Sequence, residues 1–151
     1  MKKKFQRRGF LAQLLALCAW PLAPARAADA DAVEAMVLKV TGGAAVQSGR
    51  VKLELPVLAD NGNSVSLKVA VDSPMTAASY VKSIHIYAAR NPRPNVANFY
   101  LGPRAGRAQI STRVRLGGSQ RVLAVAALSD GTFWSATADV VVTLSACYDA
   151  T

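Results

Sequence analysis

The sequence predicts an all-β protein, an antiparallel sandwich of about seven strands in two sheets, preceded by one short helix. Three observations carry that expectation. From residue 51 onward, apolar and polar residues alternate with period two in one short run after another. The runs are punctuated by Gly, Asn, Asp and Pro, and no helical stretch lies between them to support parallel strands.

The helix is expected over Asp29 to Val40. Val33, Val37 and Val40 fall on one face at the 3, 4 spacing, with Met36 beside them, and Asp29, Asp31 and Glu34 favour its start. Gly42-Gly43 ends it. Val51, Leu53, Leu55 and Val57 then alternate with Lys52, Glu54 and Pro56, and Pro56 places this strand at an edge or a bulge. After a turn at Asp60-Asn61-Gly62-Asn63, Val65, Leu67, Val69 and Val71 form its partner.

A third strand covers Val81 to Ala88, with Ile84 and Ile86 facing one way and Ser83, His85 and Tyr87 the other. A fourth is short, around Ala97 to Leu101. Ile110, Thr112, Val114 and Leu116 alternate with Gln109, Ser111, Arg113 and Arg115, whereas Arg121 to Leu128 is more uniformly apolar and so more central. Ser129-Asp130-Gly131 turns the chain into the last strand, Thr132 to about Leu144.

Ahead of all this lies an export signal. Lys2-Lys3-Lys4, an apolar run to Trp20 and the small-residue site Ala25-Arg26-Ala27 are the three parts of a signal peptide. Arg7 and Arg8, followed by Gly9, Phe10 and Leu11, resemble the twin-arginine signal that exports folded cargo. The expected division is therefore a signal over 1–27, a sandwich over 28–144 and a C-terminal arm over 145–151. The apolar run, broken by Gln13, Pro21 and Pro24, falls short of the ~20 residues that span a bilayer, so no membrane anchor is expected in the mature form. The destination is the periplasm.

Removing the signal changes the charge argument. Residues 1–27 hold six of the 18 basic residues and none of the nine acidic ones, so a formal +9 falls to +3. That weakens a nucleic-acid reading, and none is made. Cys18 leaves with the signal, so the mature chain keeps Cys147 alone and closes no internal disulfide. An exposed thiol on a chain end in an oxidising compartment is a chemical handle.

Little else suggests chemistry. His85, the single histidine, lies on the polar face of its strand, and no serine occupies a Gly-x-Ser-x-Gly elbow. One His, one Cys and scattered carboxylates give no metal-ligand spacing, so no metal and no cofactor is expected. Gly42-Gly43 and Gly117-Gly118 precede no helix and are turn residues rather than phosphate cradles. Arg113, Arg115 and Arg121 are expected on the wet side of one hairpin, where they would attract an anion or an acidic partner. The cysteine, three residues beyond the last strand, reaches about 10 Å from the sheet if that segment is extended.

A family resemblance covers nearly the whole mature chain. Gly49-Arg50-Val51-Lys52-Leu53-Glu54-Leu55-Pro56, Asp60-Asn61-Gly62, Ser73-Pro74-Met75-Thr76, Asn91-Pro92-x-Pro94, Ser111-Thr112-Arg113-Val114-Arg115-Leu116, Ser119-Gln120 and Ser129-Asp130-Gly131 occur in an order that resembles SoxY. SoxY is the sulfur-carrying subunit of the periplasmic thiosulfate-oxidising system. The resemblance implies an immunoglobulin-like sandwich that pairs with a SoxZ-like subunit as a heterodimer. It also implies covalent sulfur attachment at Cys147, beginning with a cysteine S-thiosulfonate. The carrier itself is then no enzyme, and thiosulfate-oxidising enzymes engage it transiently.

The arm departs from the family's Gly-Gly-Cys-Gly-Gly. Ser145-Ala146-Cys147-Tyr148-Asp149-Ala150-Thr151 keeps only the cysteine, which stiffens and widens the arm, and Asp149 adds negative charge beside the sulfur. The alternative expectation is therefore a SoxY-like paralogue that acts as a structural or binding partner without carrying sulfane sulfur.

Overall fold

The computed structural model describes residues 26–147. Arg7, Arg8, Phe10 and Leu11 of the signal motif, and Tyr148 to Thr151 of the arm, lie outside the described residues. The chain forms α1 (Arg26–Thr41) and nine strands: β1 (Val46–Ser48), β2 (Val51–Glu54), β3 (Leu58–Asn61), β4 (Val65–Val71), β5 (Val81–Ala88), β6 (Asn95–Tyr100), β7 (Gln109–Val114), β8 (Gln120–Leu128) and β9 (Phe133–Leu144).

The strands make the two-sheet sandwich. One sheet runs β1-β9-β8-β5-β6, with β3 also paired to β9, and the other runs β2-β4-β7. Period-two alternation explains the core between them. Val65, Leu67, Val69 and Val71 of β4 face Ile84 and Ile86 of β5 and Val122, Ala124 and Ala126 of β8 within one buried cluster. Each fully buried Leu or Ile there contributes about 1.5–3 kcal/mol over an exposed one. β8 lies between β5 and β9, as its uniform apolar run requires.

Strand β2 pairs antiparallel with β4 from Val51↔Val71 to Glu54↔Lys68 and forms one edge of the smaller sheet. The chain then changes sheets. Pro56, which has no N–H to give a ladder, lies in the switch, and β3 joins β9 in parallel from Leu58↔Val141. The strand expected through Val57 thus stops at Glu54, and a separate strand in the other sheet begins at Leu58 and runs into the expected turn at Asp60-Asn61. Strands β1 and β3 account for the count above seven. They are three and four residues long, and their burial does not alternate, so no period-two signal marks them.

The β8–β9 turn follows expectation. Gly131 adopts φ 82°, a left-handed conformation that costs glycine nothing. Asp130 accepts hydrogen bonds from the Thr132 hydroxyl and N–H at 2.7 and 2.9 Å. Those bonds hold its carboxyl below the ordinary carboxylate range.

Two expectations change. Strands β7 and β8 belong to different sheets, so Arg113 and Arg121 do not share a hairpin face. Arg121 instead pairs with Asp139 of β9 at 3.0 and 3.2 Å, directly across the ladder. Second, the face of β5 that carries Ser83, His85 and Tyr87 is not wet. Helix α1 lays Val33, Met36 and Val37 against Tyr87, Ala89, Leu123 and Val125, which uses the predicted 3, 4 stripe and closes this part of the sheet's outer face. Burial of the Tyr87 phenol, and then the neighbouring Tyr100, raises its pKa.

Candidate functional site

The candidate site is the root of the C-terminal segment. Strand β9 ends at Leu144, but the backbone beyond it does not leave the sandwich there. The Gly62 N–H donates to the Leu144 carbonyl at 2.7 Å, and the Leu116 N–H donates to the Gly62 carbonyl at 2.8 Å. The Ala146 N–H in turn donates to the Leu116 carbonyl at 3.0 Å. Finally the Cys147 N–H donates to Asn63 Oδ1 at 3.2 Å. Four hydrogen bonds thus tie three distant segments together around one glycine.

That glycine is there for closeness of approach. A Cβ on Gly62 would lie 2.8 Å from the Ala146 nitrogen and 3.0 Å from Val142 Cγ1, and would press into the Leu116 carbonyl. Two of those neighbours are backbone, which cannot step aside as a side chain does. Asn63 is oriented by its neighbour. Asn61 Oδ1 accepts from the Asn63 N–H at 2.8 Å and from Asn63 Nδ2 at 3.0 Å, leaving Asn63 Oδ1 to face Cys147.

The crossover from β7 to β8 forms the other wall. The Val142 N–H donates to Ser119 Oγ at 2.8 Å, which holds β9 just before its end. Asn91 and Gln120 are buried amides that brace the crossover. Asn91 Nδ2 donates to the Arg115 carbonyl at 2.8 Å, and Asn91 Oδ1 accepts from the Gly117 N–H at 2.9 Å and Gln120 Nε2 at 3.0 Å. Gln120 Oε1 accepts the Arg90 N–H at 2.9 Å. Buried amides with their partners satisfied hold a loop in one conformation.

Cys147 itself is a free, exposed cysteine, while Ala146 beside it is only 8% exposed. The segment therefore does not hang free from Leu144. It is held to the sandwich through the Cys147 N–H, and the thiol is presented from that anchored point. Asp60-Asn61-Gly62, Asn91, Leu116 and Ser119-Gln120 were visible in the sequence only as turns and motif fragments. Here they converge on one place. Nothing in their local spacing announces it, because the contacts that bring these segments together join residues 23 to 84 positions apart.

His85 lies elsewhere. It is 6% exposed, with Nδ1 2.7 Å from Asn98 Oδ1 and Nε2 2.9 Å from Ser83 Oγ. An amide oxygen only accepts, so Nδ1 carries a proton, and Nε2 pairs with the Ser83 hydroxyl. The Tyr87 ring stacks on it at 6.4 Å and the Tyr100 ring meets it edge-on at 6.1 Å. None of these partners belongs to the arm root. Among the described residues, no three His, Cys, Asp or Glu side chains gather as a metal ion would require.

A β-sandwich that clamps the end of its last strand and presents a single exposed thiol there defines the class: a thiol-bearing sandwich protein. Its family follows from comparison. Residues 37–147 match the family described as sulfur oxidation protein SoxY, and the chain belongs to the SoxY family. The sulfur carrier protein SoxY from Chlorobium limicola f thiosulfatophilum is similar at 25% identity, over 76% of this chain and 99% of that one, with a TM-score of 0.64.

The superoxide reductase (neelaredoxin) from Ignicoccus hospitalis matches at 16% identity, over 64% of this chain and 94% of that one, with a TM-score of 0.57. A protein from Thermotoga maritima assigned provisionally as a superoxide reductase matches at 16% identity, over 64% of this chain and 93% of that one, with a TM-score of 0.55. These two share the fold alone. No curated protein matches the sequence.

Proposed function

We propose that this protein carries sulfur intermediates covalently on Cys147 during thiosulfate oxidation, in the periplasm and in complex with a SoxZ-like subunit. The observation that carries the reading is the free, exposed thiol on a segment anchored up to the cysteine's own N–H. Membership of the SoxY family and likeness to a sulfur carrier protein support it.

The chemistry asks little of the carrier. The Cys147 sulfur forms an S–S bond to the terminal sulfur of thiosulfate; the thiol proton is released, and two electrons pass to an electron-accepting partner enzyme. Exposure lets that enzyme reach the sulfur. Anchoring shortens the stretch of backbone that must be ordered when the cysteine enters an active site, which lowers the entropy cost of each visit. The twin-arginine signal, with Arg7, Arg8, Phe10 and Leu11, supplies the export route. Among the described residues no helix is long and apolar enough to cross a membrane.

A strain carrying Cys147→Ser tests the reading. Thiosulfate-dependent growth is lost if Cys147 is the attachment point, while growth equal to wild type assigns the protein the non-carrying structural or binding role.

A further inference from the structure

Two arginines flank the arm root without an acidic partner among the described residues. Arg113 and Arg115 lie on β7 and just beyond it, both exposed, while Val114 and Leu116 between and after them are buried, so the arginines share the outer face of the smaller sheet. Arg113 Nη1 donates to Ser64 Oγ at 3.3 Å, and Ser64 follows Asn63, whose Oδ1 holds the Cys147 N–H. Arg115 precedes Leu116, whose carbonyl holds the Ala146 N–H. Arg115 is therefore one residue from a group that anchors the cysteine segment, and Arg113 is bonded to the residue beside another. The connecting bonds place the Arg113 guanidinium on the order of 10 Å from the Cys147 backbone, about one Debye length at 0.1 M salt.

The surrounding charge is mixed, with two lysines on the same face. Lys68 pairs in register with Ser111 of β7, and Lys52 lies on the next strand of the same face. Glu54 stands opposite Lys68. Asp60, on β3, is two residues from Gly62, and Asp149, outside the described residues, is two residues from Cys147 in sequence. Among the described residues the only ion pair is Arg121–Asp139, on the other sheet. Arg113 and Arg115 thus face solvent with no ion-pair partner among the described residues, on the segment that borders the arm root.

We propose that Arg113 and Arg115 form an anion-attracting platform at the arm root, which draws sulfur oxyanions to Cys147 and offsets the negative charge of a bound sulfonate. This deepens the carrier reading and rests on it for the identity of the anion. Unpaired cations near a reacting atom raise the local concentration of anions and lose the effect as salt rises.

The test compares two reagents on the full chain bearing Cys18→Ser, so that Cys147 is the single thiol. One is a dianionic aryl disulfide, dithiobis(nitrobenzoate); the other is the neutral dithiodipyridine. The ratio of their rates isolates charge at the thiol, because any change in thiolate fraction affects both. In Arg113→Gln/Arg115→Gln the anionic-to-neutral ratio should fall about three- to tenfold at low ionic strength. The difference should shrink at high salt, and Arg113→Lys should restore part of it. Lys52→Gln, which removes the same charge two strands away, should leave the ratio close to wild type.

An unchanged ratio in the double variant overturns the proposal, as does an equal fall in Lys52→Gln. Weaker binding of an acidic protein with the ratio unchanged would assign the arginines to protein docking instead. Because the reagents read charge at the thiol whether or not an adduct forms in the cell, failure here is distinct from failure of the carrier reading.

Discussion

His85 and Cys147 are the two side chains with the greatest chemical potential among the described residues, and the sandwich treats them in opposite ways. His85 has the geometry of an activated group, with a serine hydroxyl on one ring nitrogen and an amide oxygen on the other. Yet it is enclosed, and each of its hydrogen bonds is satisfied internally. Cys147 has no side-chain partner of this kind among the described residues, but its thiol is open to solvent and its backbone N–H is held. Hydrogen-bond geometry alone would select the histidine. Access selects the cysteine, since a group that hands cargo between enzymes must be reachable by all of them.

That contrast is sharpest in reactivity. In the native protein, Cys147 should be labelled rapidly by a neutral disulfide, while His85 should resist diethylpyrocarbonate until the protein unfolds. Peptide mapping after each treatment distinguishes the two sites, and native-state modification of His85 would break the comparison.

Next in size are the structural variants. Gly62→Ala forces a methyl group against two backbone atoms and should cost about 1–3 kcal/mol, read as a lower midpoint in denaturant. His85→Ala leaves Ser83 and Asn98 without their partner and should cost about 1–3 kcal/mol, with the Cys147 labelling rate unchanged. A slower or faster thiol in His85→Ala would mean that the two regions are coupled.

The smallest effect is the most local. Asn63→Ala removes the acceptor for the Cys147 N–H and should lower stability by only about 0.5–1.5 kcal/mol. Amide hydrogen exchange at Cys147 should speed up in that variant, while the β8 and β5 amides keep their protection.

Much of this fold can be read from the residues in order. Val33, Met36 and Val37 announce the helix and its buried stripe, alternation from Val65 to Val71 announces β4, and Pro56 marks the end of β2 at a sheet edge. The missing parts are long-range. Period-two patterning states that Arg113 and Arg121 are outward-facing, but not that their strands lie in different sheets or that Asp139 stands opposite Arg121. It states that one face of β5 is more polar, but not that α1 covers part of it. The position of Cys147 is legible as a lone thiol beyond the last strand. Its anchoring is not, because Gly62 looks like a turn glycine until Leu116 and Ala146 are seen packed against it.

The central claim is that Cys147 holds the sulfur cargo, and intact-mass measurement of the protein isolated from thiosulfate-grown cells tests it most directly. The account predicts an added mass on the wild-type protein that is removed by reduction and absent in Cys147→Ser. Wild-type protein with no such adduct, or an adduct that survives in Cys147→Ser, would contradict it.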